Sequence, residues 1–103
     1  MDGSASTPLT PATRVVAGRG QLSANLSGEA VILGLGDSVY YGLDGSGARI
    51  WELVQQPATL GSIADKLCLE FDVERELAMR DLTALAGTLL ERGLLDVVPD
   101  ATP

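Results

Sequence analysis

The side chains able to do covalent or metal chemistry are few and scattered in this sequence. There is no histidine, which removes the commonest general base, triad partner and metal ligand. Cys68 is the single cysteine, so neither an internal disulfide nor a thiolate cluster can form. With Leu67 and Leu69 beside it, it reads as a core thiol. Glu74, Glu76, Asp81 and Glu91 fall in one helical stretch among arginines, with Glu76 and Arg80 spaced i, i+4. That is the pattern of a solvated helix face and not of an acid/base pair. Gly34-Leu35-Gly36 has no helix after it and reads as hairpin geometry, not a dinucleotide cradle. A phosphate-binding loop and a nucleophile elbow are both missing. The expectation is a protein that is not an enzyme, with no catalytic residue, no metal ligand and no cofactor.

What remains is recognition. At 103 residues, 46% apolar and 20% charged, the chain has enough for one modest core. Its net charge of −7 and its basic residues, scattered from Arg14 to Arg92, argue against nucleic acid and against anionic membrane surfaces. The opening residues lack a basic segment and an apolar run, and no apolar stretch is long enough to cross a bilayer. A soluble, cytoplasmic location is expected.

The elements that must position a recognition site follow from periodicity. Residues 1–13 and 99–103, rich in Ser, Thr, Pro and Ala, read as flexible tails around an ordered domain over 14–98. Gln21 to Leu26 is a first strand, with Arg14 to Ala17 a further contributor. Glu29 to Leu35 is a second strand, with Val31, Leu33 and Leu35 on one face and Ile32 on the other. Gly36-Asp37 makes a hairpin turn, and Ser38 to Leu43 returns, with Val39, Tyr41 and Leu43 opposite Tyr40 and Gly42.

After Asp44-Gly45 the period becomes helical. The first helix carries Ala48, Ile50, Trp51, Leu53 and Val54, with Ser46 as N-cap and Pro57 as stop. Thr59 or Ser62 caps a second helix. Asp72 is expected to cap a third, over about 73–92, ended by Gly93. The third helix has a main apolar face of Ala78, Met79, Leu82, Leu85, Ala86 and Leu89. Leu77, Val73 and Ala84 lie off it, a surplus that suggests a partner surface. Leu94 to Val98 is a short apolar tail beside the sheet or the first helix. The class is α+β: a winged-helix-like, three-stranded antiparallel sheet followed by three helices.

The run Gly28-Glu29-Ala30-Val31-Ile32-Leu33, then Tyr40-Tyr41-Gly42-Leu43-Asp44-Gly45-Ser46-Gly47-Ala48-Arg49-Ile50-Trp51-Glu52-Leu53, resembles the PqqD-like family. Arg80-Asp81-Leu82 and Leu89-Leu90-Glu91-Arg92-Gly93-Leu94-Leu95 are similar to its third helix and exit, so the likeness covers roughly residues 20–98. It implies a recognition element for ribosomally synthesised and modified peptides. In that family the leader of a precursor peptide adds as a strand along the third strand and packs on the third helix. A stand-alone copy is similar to the leader-binding component of lasso-peptide pathways, which presents the precursor to a leader peptidase and works with a cyclase or other modifying enzyme.

Carried over by position, the docking edge is Ser38, Val39, Tyr40, Tyr41, Gly42 and Leu43. The helix contributes Glu74, Leu77, Ala78, Asp81 and Leu85. Tyr40 is the better exposed tyrosine, Tyr41 and Trp51 belong to the core, and Asp81 serves the leader or a loop. With so few cations, apolar contacts are expected to dominate over charge in holding an acidic leader. The rival readings are a peptide chaperone for a radical enzyme in pyrroloquinoline quinone biosynthesis, a winged-helix DNA-binding regulator and a general protein adaptor.

Overall fold

The computed structural model describes residues 9–98 except Ser27 and Asp37. Of the tails expected over 1–13 and 99–103, residues 1–8 and 99–103 lie outside the described residues. Leu9 packs on the core, and Pro11 and Thr13 accept hydrogen bonds from the Gly61 and Leu60 amides, tying this stretch to the second helix.

The described chain forms strands β1 (Arg14–Ala17), β2 (Gln21–Leu26), β3 (Glu29–Gly34) and β4 (Tyr40–Asp44), then helix α1 (Gly45–Leu53). A short β5 (Ala58–Thr59), helices α2 (Leu60–Phe71) and α3 (Arg75–Glu91), and β6 (Leu95–Val98) complete it. The α+β order is as the periodicity predicts. The strands divide into two three-stranded antiparallel sheets, ordered β2-β3-β4 and β5-β1-β6. The second sheet absorbs the two segments whose place was open. Arg14–Ala17 pairs residue for residue with Leu95–Val98, so the closing tail finds its backbone partners there.

Alternation places Ala30, Ile32 and Gly34 of β3 inward, with Val31 and Leu33 half-buried on the outer face. Ile32 joins Trp51, Leu60, Ile63, Leu82, Leu94, Leu95, Val15 and Val54 in a core that holds no charged or polar residue among those described. Ala78, Leu82, Ala86 and Leu89 of α3 are buried in it, with Met79 and Leu85 packed against it, as the main apolar face predicts.

Three local expectations are corrected. Ser46 does not cap α1; Asp44 occupies the N-cap with extended backbone and no side-chain hydrogen bond. Asp72 does not cap α3 either. It ends α2 in the left-handed conformation (φ 53°), its amide donating to the Cys68 carbonyl, a geometry that aspartate tolerates better than most residues. Helix α3 therefore starts later, with Glu74 as N-cap. The third correction is the start of β4. Ser38 has a positive φ of 57° and donates its amide to the Gly34 carbonyl, so the chain is still turning there and the strand begins at Tyr40.

Thr59 does cap α2, its hydroxyl accepting from the Ser62 amide at 3.2 Å. Thr59→Ala is expected to lower unfolding stability by about 1 kcal/mol, measured by urea denaturation.

Candidate functional site

Strand β4 lies at one border of its sheet. Which of its backbone groups face outward follows from the ladder. The Gly34 amide donates to the Val39 carbonyl at 3.0 Å, and the Leu35 amide turns the other way, to the Gly20 carbonyl at 2.9 Å. Even-numbered residues of β3 thus bond toward β4 and odd-numbered ones toward β2. Since Ile32 pairs with Tyr41 and Ala30 with Leu43, those two residues of β4 point their amides and carbonyls inward. Tyr40, Gly42 and Asp44 direct theirs away from the sheet, where no strand of the described residues meets them.

Beside the end of this border stands α3. A Cβ on Gly47 would lie 3.6 Å from the Leu43 side chain and 3.9 Å from Leu85 Cδ2, so β4 and α3 meet across the first turn of α1. Next to that meeting point α1, α2 and α3 surround a cavity of about 300 Å³. Ile50, Leu67, Phe71, Val73, Leu77 and Leu82 supply its apolar walls, while Gly45, Ser46, Ala78 and Asp81 complete it. Leu77 and Phe71 are each 40% exposed, which leaves apolar surface open at the mouth.

The residues expected to act together divide as follows. Tyr40 is 70% exposed and stands on the outer face, while Tyr41 and Leu43 pack inward against the core. Gly42 is exposed, and Ser38 and Val39 sit in the turn before the strand. Leu77, Ala78 and Asp81 are brought together in the cavity, and Leu85 marks its junction with β4. Glu74 stands apart, on an adjoining rim. Ile50, Leu67 and Leu82 are cavity residues that periodicity assigns only to helix faces, and Phe71 joins them from the end of α2. Their convergence depends on the angle between helices, which spacing within one helix does not carry.

Ion pairs brace the walls from outside. Arg49 reaches across from α1 to Glu70 of α2 with two hydrogen bonds, at 2.8 and 2.9 Å, and holds that carboxyl below its ordinary value through them. Arg75 at the start of α3 bonds Asp65 of α2 at 2.8 Å.

The family model for coenzyme PQQ synthesis protein D matches residues 29–95, from β3 through the first residue of β6. The chain belongs to the PqqD family. Among solved structures, TbiB1 in complex with the TbiA(beta) leader peptide is similar to this PqqD-family chain at 33% identity, with a TM-score of 0.75, over 82% of this chain and 99% of that one. Lasso peptide synthetase B1 complexed with its leader peptide matches at 26% identity and a TM-score of 0.69, over 82% of this chain and 98% of that one. The PqqD truncation of Methylobacterium extorquens PqqCD, described as a stand-alone recognition element for ribosomally synthesised and modified peptides, shares the fold. Its identity is 18% and its TM-score 0.70, over 85% of this chain and 94% of that one. No curated protein matches the chain in sequence. No helix among the described residues is long and apolar enough to cross a membrane.

Proposed function

We propose that this PqqD-family chain captures the leader of a ribosomally made precursor peptide by strand addition along β4, and presents the precursor to its processing enzymes. One observation carries the reading: Tyr40 and Gly42 turn their backbone groups off the sheet on a strand whose far end, at Leu43, approaches α3 beside an open apolar cavity. The backbone groups bind with little demand on sequence, and the cavity selects a side chain. The other border, β2, has outward groups too, but its strand is exposed almost throughout.

The TbiB1 complex supports leader capture, and the leader complex of lasso peptide synthetase B1 supports a lasso setting, in which a leader peptidase and a cyclase act on the presented precursor. Expected binding of a fluorescein-labelled synthetic leader is micromolar or tighter by fluorescence polarisation; no binding by the folded protein refutes the reading. The protein serves as a binding module in the cytoplasm and needs no cofactor.

Leu77 lines the cavity mouth and is 40% exposed, so a charge there is solvated in the free protein and desolvated beneath a peptide. Leu77→Asp is expected to weaken leader binding about tenfold or more, with free-domain stability changed by less than about 1 kcal/mol. The pair of measurements is fluorescence polarisation and urea denaturation.

A further inference from the structure

The apolar cavity beside β4 has one charged group in its wall, Asp81. The adjoining rim, which shares Val73 and Leu77 with the cavity, is lined by Asp72, Glu74 and Glu76 against Arg80. The positive end of α3 accounts for carboxylates at Glu74 and Glu76, in the helix's first residues. It does not account for Asp81, which lies well inside the helix, is exposed to water in the free protein and makes no hydrogen bond or ion pair among the described residues. Of the neighbouring arginines, Arg49 is held by Glu70 and Glu52 and Arg75 by Asp65, while Arg80 shares the rim with three carboxylates and makes no ion pair among the described residues.

A wholly apolar occupant would strip water from Asp81 and give nothing back. We infer that the leader accepted here carries a lysine or arginine next to the apolar side chain that fills the cavity. Its cation meets Asp81 and the carboxylates of the rim. The inference rests on the leader-capture reading and adds the charge of the side chain selected. It also gives the acidic surface, net −7, a role in attracting the peptide.

The test uses a fluorescein-labelled synthetic leader and a second peptide with every lysine and arginine replaced by glutamine. Affinity for the first should fall about threefold or more between roughly 50 and 500 mM NaCl, as screened surface pairs do. The glutamine peptide should bind about threefold or more weakly at low salt and show little salt dependence. Asp81→Asn combined with Glu76→Gln should flatten the salt dependence for the natural leader, while Glu91→Lys, at the far end of α3, should not. A leader without lysine or arginine, or binding indifferent to salt and to these variants, overturns the inference and leaves leader capture standing. Failure of the folded protein to bind at either salt overturns both.

Discussion

Gly42→Pro is expected to weaken leader binding by about 30-fold or more, roughly 2 kcal/mol, while the free domain stays folded. Gly42 faces Val31 in a pair that exchanges no hydrogen bonds, so its amide points off the sheet and a proline removes no bond to β3. Proline is tolerated at such border positions. A peptide strand, however, loses a backbone donor worth about 0.5–1.5 kcal/mol and meets the pyrrolidine ring where the amide hydrogen was. Gly42→Ala is the matched control: it keeps the amide, and a Cβ there has nothing within 4 Å. Fluorescence polarisation on both variants, with thermal melts alongside, separates the outcomes. Equal affinity of the proline and wild-type proteins would rule out strand addition at this border.

Trp51→Ala is expected to cost about 3–5 kcal/mol of unfolding stability. The indole is fully buried between the sheet and the helices, and a domain of this size has about 5–15 kcal/mol in all. The loss is a large share of that total, visible as a large fall in the urea midpoint. A variant that kept its stability but lost leader binding would instead make Trp51 a contact residue.

Much of this architecture is legible from residue periodicity because the driving patterns are local. The alternation in Glu29–Gly34, the cap at Thr59 and the buried stripe Ala78, Leu82, Ala86 and Leu89 each lie within one element. The misread points are ones where two local signals compete. Asp72 is a good N-cap residue by type, but the chain needs a left-handed exit from α2 at that position and aspartate serves that instead. Ser38 looks like the first residue of an alternating strand, yet its amide is drawn back to Gly34. The second sheet depends on Arg14–Ala17 meeting Leu95–Val98 from the far end of the chain, a pairing that no local pattern encodes.

The candidate site divides in the same way. Alternation distinguishes exposed Tyr40 from inward Tyr41, and the off-face position of Leu77 agrees with its exposure at the cavity mouth. Phe71 and Leu67, by contrast, reach the cavity only through the packing of α2 against α3.

Hydrogen exchange at single amides tests strand addition along β4 most directly. Adding saturating leader peptide should slow exchange at Tyr40 and Gly42, whose amides face off the sheet in the free protein. Protection that instead appears at Ser23 and Asn25, on the outward side of β2, or that spares both borders while the leader is bound, would contradict the account.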